Sequence, residues 1–168
     1  MIIYVAVFSM IFTMILGLFD RVQVVGNKTR IASDLRENGT YIMKILGHAV
    51  READSIDLSN SAFNVDPSII SLIGDDAVTM DTHMQSVVVG GVPVTIRKIK
   101  MRYGTGPGVN ISSDHINVTR FIIRDITQAG SPSAIQVELG LSSISPSGNS
   151  DYEDTFFVRD SFSLRKEL

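Results

Sequence analysis

The chain has 168 residues and no cysteine, no proline before Pro67 and no charged residue before Asp20. Without cysteine there can be no disulfide scaffold, thiolate metal centre, thiol nucleophile or lipoprotein-type acylated cysteine. Without proline the first 66 residues can run as helix with no forced break. Without charge, Met1 to Phe19 reads as a membrane segment. At about 1.5 Å per residue it makes a helix about 28 Å long, close to the roughly 30 Å hydrocarbon core of a bilayer. Its 11 Ile, Leu, Val and Phe residues favour insertion by roughly 5 kcal/mol before polar corrections. A cleaved secretory signal would carry a basic leader and a small-x-small cleavage site. Asp20-Arg21-Val22-Gln23-Val24-Val25 offers no such site, so the segment is expected to be retained as an anchor.

Beyond Phe19 the chain is polar and of ordinary composition, with room for one domain. The 18 acidic residues outnumber the 15 basic ones, and no basic run invites nucleic acid. No internal repeat or low-complexity tract stands out. After the membrane run, Ile31, Leu35, Ile42, Ile45, Ala49, Ala53 and Ile56 recur at helical spacing, with Leu46 and Val50 widening the stripe. Residues 1–56 are therefore expected to form one helix, lipid-facing over 1–19 and an amphipathic stalk over 28–56, stopping at Asp57-Leu58-Ser59-Asn60. The β-branched residues and glycine of Val22 to Asn27 are the expected place for a bend.

From residue 57 to 168 the period changes to two. Ile135, Val137, Leu139 and Leu141 alternate with Ala134, Gln136, Glu138 and Gly140, which predicts a half-buried strand. Phe156, Val158, Phe162 and Leu164 predict a last strand, Ile116 to Ile126 another, and Asn149 to Asp154 a polar loop between strands. Gly90-Gly91 between two valine-rich runs is a two-residue hairpin signal. Apolar parity changes between Ile96 and Ile99, which predicts a bulge near Arg97-Lys98. The expected fold is α+β, with the long helix covering one antiparallel sheet of five to seven strands.

Signals for chemistry are sparse. Ala6, Ser9, Thr13 and Gly17 share a helical face, and small residues let membrane helices approach closely. Gly104-Thr105-Gly106-Pro107-Gly108 lacks the helix that a phosphate cradle opens into. His48, His83 and His115 have no paired ligand spacing. Asp75, Asp76 and Asp81, and Asp151, Glu153 and Asp154, are loop acids that match no EF-hand. Four Asn-x-Ser/Thr sites begin at Asn27, Asn38, Asn110 and Asn117, two of them on the expected helix. There is no Gly-x-Ser-x-Gly and no His-Glu-x-x-His, so no enzyme, cofactor or metal site is expected.

The order of segments resembles a known family. Met1-Ile2-Ile3-Tyr4-Val5-Ala6-Val7-Phe8, the stalk segments Ala32-Ser33-Asp34-Leu35-Arg36 and Val50-Arg51-Glu52-Ala53, then Ser112 to Phe121, Ile135 to Leu139 and Phe157 to Arg165 together resemble type IV pilins and type II secretion pseudopilins, most closely the minor J-type or W-type group. The resemblance covers nearly the whole chain. It implies a pilin-like fold and a structural, bacterial minor subunit. Such a subunit is drawn from the inner membrane, where it sits as a single-pass protein, into a periplasmic or cell-surface filament. The implied partners are other pilin or pseudopilin subunits, inner-membrane assembly machinery, the lipid bilayer, and a prepilin peptidase acting on a leader before methylation. The family's basic leader, pre-cleavage glycine and following glutamate do not occur in this sequence, so Met1 is expected to be an internal methionine of a longer precursor. The competing expectation is a single-pass, membrane-anchored β-domain binding module of adhesin or receptor type that stays in the bilayer.

Overall fold

In the computed structural model, residues 2–128, 133–144 and 153–165 are described. The polar loop expected from Asn149 therefore lies mostly outside them, as does Asp151. One helix, α1 (Ile2–Glu52), precedes eight strands: β1 (Ser55–Ile56), β2 (Ile70–Ile73), β3 (Val78–Val89), β4 (Val92–Tyr103), β5 (Val109–Asn110), β6 (Ile116–Asp125), β7 (Ala134–Ser143) and β8 (Thr155–Ser163). The fold is α+β with every strand pair antiparallel.

At about 1.5 Å per residue the 51 residues of α1 extend about 77 Å. The helix continues unbroken through residues 22–27. Gly26 has no neighbour within 4 Å and carries only its propensity penalty, about 1 kcal/mol, while the Thr29 hydroxyl adds a bond to the Val25 carbonyl at 2.9 Å. The end also differs from expectation. The backbone leaves the helix after Glu52 because the Asp54 amide bonds to the Ile73 carbonyl at 2.8 Å, starting the sheet. Ile56 thus packs from β1 and not from the helix. Asp57 closes the following turn, its carboxylate accepting from the Ser59 and Asn60 amides at 3.0 and 3.3 Å.

The strands form two sheets where one was expected: β1-β2-β3-β4-β5 and β6-β7-β8. The split has a backbone cause. The edge of β6 is taken up by the segment before β2, with Asn64 and Ser68 amides donating to the Ile123 and Phe121 carbonyls, both at 2.9 Å. Side chains reinforce it, as the Ser68 hydroxyl accepts from Ile123 N at 2.9 Å. Asn117 and Ser112 side chains then tie the second sheet to β4, accepting from Arg97 N and Ile99 N.

Gly90 and Gly91 form the expected hairpin turn, both with positive φ (58° and 83°) in the two-residue geometry that suits strand twist. Pairing between β3 and β4 continues without a shift from Val89↔Val92 to Val78↔Tyr103, so the bulge expected near Arg97-Lys98 is absent. The parity change instead marks a strand buried on both faces. Ile99 and Met101 enter the main core, whereas Ile96 and Lys98 are buried on the opposite face. The one register shift among the long strands lies at Val118/Arg120 in β6.

A single core joins all layers. Leu35, Ile42, Met43, Leu46, Ala49 and Val50 from α1 meet Ile70, Leu72, Met80, Ile99 and Met101 from the first sheet and Phe121, Ile123, Val137, Leu139 and Phe162 from the second. The helix rests on β8 and β7. Close approach is made possible by two glycines. A Cβ at Gly39 would lie 2.5 Å from the Phe156 ring, and one at Gly47 2.6 Å from Phe162.

Candidate functional site

The helix divides sharply by environment. From Ile3 to Phe19 each residue is exposed, including Phe8, Met10, Phe12, Ile15 and Leu18, and the mean hydropathy of the span reaches 2.0. It is long and apolar enough to cross a membrane. Removing such large apolar side chains from water is worth about 1.5–3 kcal/mol each. Ala6, Ser9, Thr13 and Gly17 all lie on this exposed stretch. The Thr13 hydroxyl donates to the Ser9 carbonyl at 2.8 Å, so of the two hydroxyls on this face the one on Thr13 is turned back onto its own helix.

On the stalk, Leu35, Ile42, Ala49 and Ala53 are buried, Ile31 and Ile45 are half-buried, and Ile56 is half-buried from its strand. Ala53 follows the last helical residue and still bonds back to Ala49. Met43, Gly39 and Gly47 complete the packing face. A glycine at helical spacing within an apolar stripe was the signal that could have found the last two.

The far side of the second sheet carries an unexpected charge cluster. Glu138 shares a strand face with Gln136 and Gly140, expected to face solvent, yet its side chain is 1% exposed. Three arginines cover it. Arg120 Nη2 lies 3.0 Å from Oε2, and Arg124 and Arg159 Nη2 lie 3.2 and 2.6 Å from Oε1. The pairing places Ile122 and Arg159 directly opposite Glu138 on its two neighbours, so Arg120 and Arg124 flank it along β6. Gly140 leaves room for Arg120, whose Cβ stands 3.0 Å from where a glycine Cβ would be. The N–H directions are poorly aligned with the carboxylate, and Coulomb attraction holds the group. Each guanidinium remains about half exposed, at 44–53%, with most of its five N–H donors free for other acceptors. One buried negative charge under three exposed positive ones leaves a net positive face.

A second ion pair joins a buried lysine on β4 to a largely exposed aspartate. Lys98 is fully buried, and its ammonium donates to the Ser112 and Ser113 carbonyls at 3.2 and 2.6 Å and to Asp114 Oδ1 at 2.6 Å. The hydrogen bond from Lys98, and then its charge, hold the Asp114 carboxyl below the usual carboxylate pKa. Because the folded value is depressed, this pair contributes stability above the unfolded pKa of about 3.9 that is lost as pH falls through the lower folded value. The expected result is a gap in urea midpoint between the natural chain and Asp114→Asn at about pH 6 that closes as the solution is acidified below the carboxylate range.

Other sequence candidates are scattered. His48 sits on the helix against Glu52 at 2.8 Å, His83 on β3 and His115 just before β6. Asp75 and Asp76 are both exposed in the β2–β3 turn, while Asp81 lies on β3 facing Lys100 at 3.8 Å. Among the described residues no three His, Asp or Glu side chains gather as metal ligands. The Gly104–Gly108 loop leads into β5 and not a helix. A groove of 1370 Å³ opens between the end of α1 and the first sheet, floored by Ala49, Leu72, Val78 and Met101. Comparison with protein-family models, with curated proteins and with solved structures yields no match.

Proposed function

We propose that the chain is a structural minor subunit of a type IV pilus or type II secretion pseudopilus, of the J-type or W-type group, with a pilin-like fold. The observation that carries this reading is the division of α1: one unbroken helix whose first third is exposed throughout while its last third buries one face in the core. A globular domain built only for binding needs a tether, and a flexible one serves. A rigid rod continuous with the core fixes the apolar segment in orientation to the domain, which is what stacking subunits requires. In this reading the small-residue face lies against neighbouring helices, and the subunit passes from the inner membrane into a filament with other subunits and the assembly machinery.

The test is incorporation. Expressed with its upstream sequence in cells that carry the assembly system, the natural chain is expected in the sheared filament fraction. Replacing Thr13 and Gly17 by leucine adds bulk at positions where Gly17 has nothing within 4 Å of its own chain, so folding and membrane insertion persist while recovery in filaments falls. Natural chain found only in the membrane, whether or not the assembly ATPase is present, would sink the proposal in favour of the anchored binding module.

A further inference from the structure

We propose that the free edge of β8 takes up an acidic, extended segment of another protein as a fourth strand of the three-stranded second sheet. The strand order is β6-β7-β8, so β8 is paired on one side only. The sheet's other edge, on β6, is closed by the amides of Asn64 and Ser68, which donate to the Ile123 and Phe121 carbonyls. Among the described residues no segment closes β8 in the same way.

Two bonds at the ends of the pairing fix which backbone groups face outward. Ser143 N donates to the Asp154 carbonyl at 3.0 Å and Leu164 N to the Ser133 carbonyl at 2.9 Å, both in the register that runs from Ala134↔Ser163 to Ser142↔Thr155. Backbone direction alternates along an antiparallel strand, so the even-numbered residues from 154 to 164 turn toward β7 and the odd-numbered ones turn away. Thr155 and Ser161 of this outer row are capped from within. Thr155 N donates to Asp154 Oδ1 and Ser161 N to Asp160 Oδ1, each at 2.8 Å. Between the caps, the N–H and C=O groups of Phe157 and Arg159 have no partner among the described residues. Alternating donors and acceptors at this spacing match the backbone of another strand, and recognition by strand addition uses such an edge. Phosphate groups supply acceptors alone and leave the carbonyls unmatched.

The side chains define the chemistry of the incoming segment. Residues with outward backbone groups share the Glu138 face, since Arg159 stands directly opposite Glu138 and Phe157 opposite Gly140. Phe157 is 54% exposed and meets no side chain across from it. Arg159 is about half exposed, and Arg120 and Arg124 stand behind it on β6, over the carboxylate that all three share. Three guanidiniums over one carboxylate attract acidic side chains, and the guanidinium fork binds a carboxylate in paired bonds. In an antiparallel addition, the residues opposite Phe157 and Arg159 both bond to the edge and point to the arginine face. The fitting segment therefore carries acids at alternate positions. Its intervening side chains lie on the face of half-buried Val158 and of Asp160, where uncharged residues suit. A second copy pairing through its own β8 would lay a like arginine face alongside this one, and like charges on neighbouring strands repel.

The test uses the full-length chain in detergent and a labelled, terminally blocked peptide that alternates glutamate and valine over about seven residues, an ordinary strand length. Fluorescence anisotropy reads binding without filament assembly, so the outcome is separate from the filament reading. Saturable binding is expected. N-methylation of the glutamate amides removes the donors that face β8 and should weaken binding at least about tenfold. N-methylation of the valine amides, which face outward, should change it less than about twofold. A peptide with lysine in place of glutamate should also lose at least about tenfold. Phe157→Pro deletes an outward N–H, a change that edge strands accept, and should abolish binding while the chain still melts cooperatively; if that variant does not fold, the peptide comparisons decide. Equal binding by the two methylated peptides, equal binding by the lysine and glutamate peptides, or no binding up to about 1 mM would overturn the inference. So would dimers of the chain alone that Phe157→Pro dissolves, because they assign the edge to a second copy.

Discussion

Replacing Lys98 by methionine is expected to destabilise the folded chain by about 3 kcal/mol, although the substitution keeps most of the length of an already buried stem. The figure follows from what the ammonium leaves behind. Its removal strands the carbonyls of Ser112 and Ser113 and one oxygen of Asp114. Each buried acceptor without a partner costs about 1–3 kcal/mol, and breaking a buried charge pair costs about 3–5. Asp114 is 71% exposed and finds water, so the loss falls at the low end of that sum. For a domain of this size the apparent melting temperature of the full chain in detergent should fall by about 6–12 °C. Arginine at this position is expected to fail as a rescue, because a guanidinium is larger and its fixed fork does not match three acceptors clustered on a point. If Lys98→Met melts within a degree or two of the natural chain, the ammonium does not hold the 112–114 turn.

The two buried charges do different work. Lys98 ties the turn before β6 to β4, and this turn is where the two sheets meet. Glu138 makes no such tie between elements of different sheets. All its partners stand on its own strand's neighbours. It gathers three half-exposed arginines onto one face of the second sheet.

Much of this arrangement is legible in the chain. The charge-free run, the absence of proline and the spacing from Ile31 to Ala53 are enough to expect a single rod with two environments, because helical period and burial are local properties. The Gly90-Gly91 hairpin is equally legible, since positive φ at both positions leaves few alternatives to glycine. The features that escape a sequence reading are set by tertiary partners. The pattern Ile96, Lys98, Ile99, Met101 mimics a slip of register because a strand buried on both faces breaks the alternation that a one-sided sheet imposes. Two sheets read as one because the split depends on Asn64 and Ser68 bonding to β6, more than 50 residues away in sequence. Glu138 reads as a solvent-facing residue because its burial comes from Arg120, Arg124 and Arg159 on other strands. The arginine cluster is hidden for the same reason: no two of its members are adjacent in the chain.

Phe162→Ala is expected to be the most damaging single truncation in the helix–sheet seam, with a loss of about 3–5 kcal/mol for emptying a buried aromatic site. The ring is 7% exposed and lies where a Cβ on Gly47 would approach to 2.6 Å, so it fills the notch that the glycine leaves. The reverse change tests the same fit. Gly47→Ala should gain up to about 1 kcal/mol of helix propensity, yet the added methyl overpacks against a ring that the core holds in place, at about 1–3 kcal/mol. The single variant is therefore expected to lose stability despite its better helix former. In the double variant the methyl enters the space vacated by the ring and the propensity gain is recovered. Its loss should be smaller than the sum of the two singles by about 1–2 kcal/mol, the size of coupling seen between residues in direct contact. Urea unfolding of the four full-length chains in detergent closes the cycle. Simple additivity would mean that Gly47 and Phe162 do not constrain one another, and that the rod is free to shift on the sheet.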